Sequence, residues 1–111
     1  MNFDEAENNK TNGQIKSLND ETLFIVSQTF KALSDNTRIK ILYLLSQKEC
    51  SVNEISQILE LHQSTISHQL SFLKNLRLIK FRRDGTTFFY SNDDQHIINL
   101  LQQAIEDARH D

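Results

Sequence analysis

Six polar side chains crowd one short stretch of this chain: Gln63, Ser64, Thr65, Ser67, His68 and Gln69. Their amides, hydroxyls and imidazole can both donate and accept hydrogen bonds, and a glutamine can pair bidentately with adenine. Ser and Thr are mediocre helix formers, so packing alone does not favour gathering them there. A helix that only closed a core would more often carry Glu, Lys and Ala on its wet face. Downstream stand Arg82, Arg83, Thr86 and Thr87, side chains suited to phosphate or minor-groove contact. The chemistry such a set supports is recognition of double-stranded DNA. A solvated polar face and an ordinary charged hairpin are the bland alternatives.

The net charge of −3 argues against a nucleic-acid binder until it is divided along the chain. Residues 1–60 carry a balance of −3, residues 61–92 one of +4, and residues 93–111 one of −4. The basic segment holds Lys74, Arg77, Lys80, Arg82 and Arg83 against Asp84 alone, and such clusters attract phosphate. The acidic segment after it would repel phosphate or hold cations.

Composition narrows the classes. A chain of 111 residues, 38% hydrophobic and 24% charged, is one soluble globular domain. There is no apolar run of the roughly 18 residues a bilayer requires, and the polar, acidic N-terminus is unlike a signal peptide. A single cysteine excludes a disulfide framework or a multi-cysteine zinc cage and fits a reducing cytosol. We therefore expect a cytoplasmic protein with no membrane association. With no proline, two glycines, no glycine-rich phosphate loop and no nucleophile elbow, the chain does not read as an enzyme. A core this small makes oligomerisation a plausible source of stability.

These side chains need elements to position them. Residues 1–16 show no apolar period and read as a disordered arm, leaving 17–111 as the single folded domain. Helical spacing starts at Asn19, with Leu23, Val26, Phe30 and Leu33 on one face. Asp35 or Asn36 can cap a second helix with Ile39, Leu42, Tyr43 and Leu45 inward, and Ser51 with Glu54 forms a capping box for a short third. The core positions of that third helix are Val52, Ile55, Ile58 and Leu59; a fourth helix starts between His62 and Ser64 and buries Ile66, Leu70 and Leu73. Residues 78–83 and 86–91 read as strands about Asp84-Gly85, a strong hairpin signal. A last helix from about Asp94 to Arg109 carries Ile97, Leu101, Ala104, Ile105 and Ala108 as an apolar stripe. The order α-α-α-α-β-β-α, mainly α, is that of a winged helix-turn-helix, whose second motif helix enters the major groove.

At this point three segments resemble a known family. "FKALSDNTRIKILYLL" (30–45), "STISHQLSFLKNLRLIKFRRDGTTFFYS" (64–91) and the acidic last helix are similar to the ArsR/SmtB family of metal-sensing transcriptional repressors. The resemblance spans about residues 22–110. It implies a homodimer, joined through the terminal helices, that binds a palindromic operator and leaves it when metal or another inducer binds.

The resemblance carries ligands over position by position. One family site uses a cysteine pair in a pattern like E-L-C-V-C-D, but here Ser51 and Asn53 fall where those cysteines would be, and Cys50 is one place early. The other site lies in the last helix and resembles the zinc- and cobalt-sensing branch, with D-x-H followed by H-x-x-H. Asp94 and His96 supply the first pair; Asp107 and His110 supply the second, with Asp107 in place of a histidine. Zn(II), or Co(II) or Ni(II), is the implied allosteric effector, and its binding would displace protons from the two histidines.

Helix geometry constrains that set. Eleven residues separate His96 from Asp107, about 16 Å along a straight helix, whereas zinc ligands lie about 2 Å from the ion. An antiparallel second copy of the helix would bring 94 and 96 of one chain to 107 and 110 of the other, giving two equivalent sites. Asp94 as a simple N-cap is the competing explanation at one end. Acids at 106, 107 and 111 oppose the dipole at the other, a repulsion that a cation would relieve. A winged-helix regulator answering to a small molecule, redox state or protein partner is the alternative function.

Overall fold

The computed structural model describes residues 15–110. Residues 1–14 and 111 lie outside the described residues, and with them most of the expected arm and Asp111. The chain divides into two compact units, residues 1–31 and 32–111.

In the first unit, the Asn19 side-chain oxygen accepts the Thr22 amide at 2.7 Å and starts α1 (Asp20–Ala32). The face expected to be buried is largely open: Leu23, Val26 and Phe30 are exposed, as are Phe24 and Ile25. Helical periodicity reports that a face is apolar, not what covers it.

The second unit carries the core. α2 (Asn36–Leu45) begins where Asp35 accepts the Arg38 amide at 3.0 Å. It buries Ile41, Leu42 and Leu45, with Ile39 and Tyr43 only partly covered. β1 (Cys50–Ser51) follows, two residues too short to show a period. Ser51 then closes the expected capping box: its Oγ accepts the Glu54 amide at 3.2 Å, and Glu54 Oε1 accepts the Ser51 amide at 2.9 Å. That second bond holds the Glu54 carboxyl below its ordinary range. In α3 (Val52–Leu59) Ile55 is buried, but Ile58 is exposed, contrary to expectation. An eight-residue helix leaves room for little more than one fully covered position.

α4 (Gln63–Asn75) buries Ile66, Leu70 and Leu73 as its spacing required. Arg77, at φ 60, turns the chain out of this helix, its amide reaching the Lys74 carbonyl at 2.9 Å. β2 (Ile79–Asp84) and β3 (Thr87–Asn92) pair antiparallel, from Ile79 with Asn92 to Asp84 with Thr87. The turn is therefore Gly85-Thr86, one residue later than the Asp84-Gly85 expected. Gly85 takes φ +64 at the first turn position, where a glycine is favoured, and Thr86 keeps a negative φ. β1 adds a third strand on the other side of β3, Cys50 opposite Tyr90 and Ser51 opposite Phe89, giving the sheet order β1-β3-β2.

α5 (Gln95–Arg109) starts at Asp94, whose Oδ1 accepts the Ile97 amide at 3.2 Å. Ile98 and Leu101 are its buried residues, and Ile97 and Ile105 are partly covered. Ala104 and Ala108, expected in the stripe, are exposed, whereas Ile98 was not expected there. The stripe is rotated toward Ile98. Among the described residues no helix is long and apolar enough to cross a membrane.

Candidate nucleic-acid interface and the ends of the last helix

With Ile66, Leu70 and Leu73 inward, α4 turns Gln63, Ser64, Thr65, Ser67 and His68 to solvent. Gln69 is different. It is half-buried, and its Oε1 accepts from Arg38 Nη1 at 3.2 Å. Gln63, at the first position of α4, donates through Nε2 to Asn53 Oδ1 on α3, so a side chain of the polar cluster also pins the two helices together. A groove lined by Asn53, Gln63, Thr86, Thr87 and Phe88 separates the hairpin tip from the starts of α3 and α4.

The two hairpin arginines are not equivalent. Arg82 forms a bidentate pair with Glu49, Nε and Nη2 lying 2.7–2.9 Å from its carboxylate oxygens, and its guanidinium stands 4.7 Å from the Phe89 ring centroid. Glu49 thereby holds Arg82 still more firmly in its charged form. Arg83 donates to the Gly85 carbonyl at 2.8 Å and lies over Phe88, beside the turn. Thr86 in the turn and Thr87 at the start of β3 are both exposed. Sequence reasoning gave Asn53, Glu49 and Arg38 no part in the interface. Glu49 and Arg82 are 33 residues apart, so no local spacing announces them. Asn53 sits inside the capping box, where a polar residue has a ready local explanation.

The four acid and imidazole side chains sit at opposite ends of one uninterrupted helix. At its start, His96 Nδ1 is 3.9 Å from Asp94 Oδ1, and the imidazole is 99% exposed. Two donors bound at about 2 Å to a tetrahedral ion stand about 3.3 Å apart, so this pair is spaced for a common ligand with little adjustment. The oxygen that faces His96 is the same Oδ1 that accepts the Ile97 amide as the N-cap. At the other end Asp107 and His110 line a shallow depression with Gln103 and Glu106. His110 has left the helix with extended φ and ψ, its amide still bonded to the Asp107 carbonyl at 3.2 Å. Among the described residues no group of three or more His, Cys, Asp or Glu side chains is gathered to hold a metal within the single chain. Cys50 is buried, and burial pushes its thiol up, away from the thiolate that binds metal.

A short capped helix, a tight connection, a polar-faced second helix and a basic hairpin define a winged helix-turn-helix DNA-binding protein. Residues 35–80 match the model of the bacterial regulatory protein, arsR family. The chain is 42% identical over 96 residues to a cadmium resistance transcriptional regulatory protein CadC homolog of Staphylococcus aureus, covering 86% of this chain and 79% of that one. It is 36% identical over 93 residues to the HTH-type transcriptional regulator KmtR of Mycobacterium tuberculosis, covering 84% and 72%. A solved homodimeric winged helix-turn-helix DNA-binding domain from Mycobacterium bovis, a possible ArsR-family regulator, superposes with a TM-score of 0.73 at 28% identity, covering 87% and 94%. The chain belongs to the ArsR/SmtB family of transcriptional repressors. It is a DNA-binding regulator and not an enzyme.

Proposed function

We propose that this protein is a metal-responsive repressor that binds a palindromic operator as a homodimer and releases it when Zn(II), or Co(II) or Ni(II), is bound. The observation that carries the reading is the arrangement on α5: two donors at each end of one continuous helix, too far apart to share an ion, form two half-sites that only a second copy can complete. The name of the Staphylococcus aureus relative, a cadmium resistance regulator, supports a metal as the signal. The oxygen and nitrogen donors here suit Zn(II) and Co(II), and the buried Cys50 offers no thiolate set.

In this reading Asp94 and His96 of one protomer and Asp107 and His110 of its partner hold the ion, which when bound supplies a cross-link between two α5 helices. The N-cap bond from Asp94 to the Ile97 amide fixes one carboxylate at the helix start, and the exposed imidazole of His96 swings beside it. Gln63, Ser64, Thr65, Ser67, His68 and Gln69 face the major groove, while Arg83, Thr86 and Thr87 reach the backbone beside it and Arg82 braces the hairpin. Release requires that free and DNA-bound dimers differ in metal affinity; a coupling of about 1–3 kcal/mol is a 5–150-fold change.

The test is a Zn(II) titration of the purified protein, followed by sedimentation and by fluorescence anisotropy on a palindromic duplex from its own promoter. Asp107→Ala and His110→Ala are titrated alongside. One ion per protomer, with operator release lost in both variants, is the expected result. Operator binding that ignores metal in the wild type would leave a repressor of another signal.

A further inference from the structure

We infer that Arg38 sets the base preference of the reading helix. By tethering the amide oxygen of Gln69 and fixing the amide plane, it presents the NH2 group and makes the side chain a reader of guanine rather than adenine. The inference rests on the reading of α4 as the helix that contacts DNA.

Arg38 is held at several points. Its backbone amide is capped by Asp35 at 3.0 Å, its Nε donates to the Ala32 carbonyl at 3.0 Å, and its Nη1 donates to Gln69 Oε1 at 3.2 Å. Its guanidinium carbon stands 4.5 Å from the ring centroid of Phe72, which lies about one turn beyond Gln69 on α4. Planar stacking and directed donors together leave the guanidinium little freedom.

A guanidinium carries only donors, so the group of Gln69 that faces it must be the oxygen, whichever way the amide is drawn. The NH2 group then points to the other side. Bidentate recognition of adenine needs both amide groups, the oxygen for N6–H and the nitrogen for N7, in the plane of the base pair. Here Arg38 takes one lone pair of the oxygen and fixes the amide plane, so the two amide groups are not free to align with the plane of the base pair. A donor alone finds its best partner in guanine, whose O6 and N7 are both acceptors on the major-groove edge. The other glutamine of the cluster, Gln63, is held the other way round: its NH2, not its oxygen, is the tethered group, bonded to Asn53. The two glutamines of α4 are thus tethered through opposite ends of their amides.

The experiment is selection of duplexes from a random pool by the full-length protein, with base preference read at every position of the enriched motif. Wild type should favour guanine at one position of each half-site, and Gln69→Ala should flatten that position alone. Gln69→Glu keeps the Arg38 contact but presents an acceptor, so the position should move to cytosine, whose N4 donates. Arg38→Met frees the amide and should move it to adenine, each change amounting to about tenfold in relative affinity. A wild-type preference for adenine at the position that Gln69→Ala flattens overturns the role of Arg38 and leaves the operator reading standing, whether or not Arg38→Met folds. An enriched motif whose preferences are identical in wild type and Gln69→Glu overturns the reading of a base by Gln69 and the role of Arg38 with it. A wild-type pool with no enriched motif overturns both.

Discussion

Gly85 shows how one residue type fixes the geometry of the hairpin. It occupies φ +64, and a Cβ placed there would meet nothing within 4 Å. Any cost of substitution is therefore backbone cost, without a clash to confuse it. Gly85→Ala should lower stability by about 1–2 kcal/mol, and Gly85→Asn by less, because asparagine tolerates the left-handed region. Urea unfolding of the three proteins checks this, and equal stability of all three would mean that the turn relaxes to another type. The residue scale also explains why Asp84-Gly85 misled as a turn signal. Two residues with turn preference leave the register open by one, and the pairing of Asp84 with Thr87 settles it.

Elements with purely local causes were legible. The Ser51–Glu54 box, the Asp35 and Asp94 caps and the Ile66, Leu70, Leu73 face of α4 all depend on residues three or four apart, and all are found. What the sequence concealed depends on distant partners. β1 exists because Cys50 meets Tyr90, and Arg82 is paired within the chain because Glu49 reaches it. The exposed Ile58, Ala104 and Ala108 kept helical spacing but lacked a neighbouring element in the single chain. Of the candidate DNA-contacting side chains, five on α4 lie in solvent, while Gln69 and Arg82, and among those five Gln63, are engaged by other side chains.

The Glu49–Arg82 pair has a measurable consequence for the hairpin as an element. An exposed ion pair contributes little to stability, but this one engages a cation that the proposed DNA contact would use. Glu49→Gln should release Arg82 toward phosphate, tightening DNA binding at low salt. The slope of log affinity against log salt should steepen by about 0.9, one further counterion released. Anisotropy on one duplex across a salt series gives that slope, and an unchanged slope with weakened binding would show that Glu49 acts only as a brace.

At the scale of the whole molecule, apolar surface remains on both terminal helices. Phe24, Ile25 and Phe30 on α1 are more than half exposed, and Leu100 on α5 is 37% exposed. Patches of this kind are seldom left open to water in a stable protein. A second copy is the occupant that the proposed α5 half-sites also call for. Phe24→Glu and Leu100→Glu should each shift sedimentation from dimer toward monomer. Operator affinity should fall by far more than any one contact is worth, because the two reading helices would no longer bind as a linked pair. A monomeric wild type of undiminished operator affinity would sink the dimer.

Ser51 is at once the second residue of β1, paired with Phe89, and the cap on α3. The wing and the first helix of the reading motif therefore share a residue whose amide and hydroxyl both serve the capping box. An opening that carried Ser51 away with the sheet edge would uncap the helix in the same motion. Amide protons of the two elements should consequently exchange with solvent as a single opening unit, not as a loose flap hinged on a rigid body. Exchange of the wing ahead of the reading motif would show that Ser51 stays with its helix when the sheet opens.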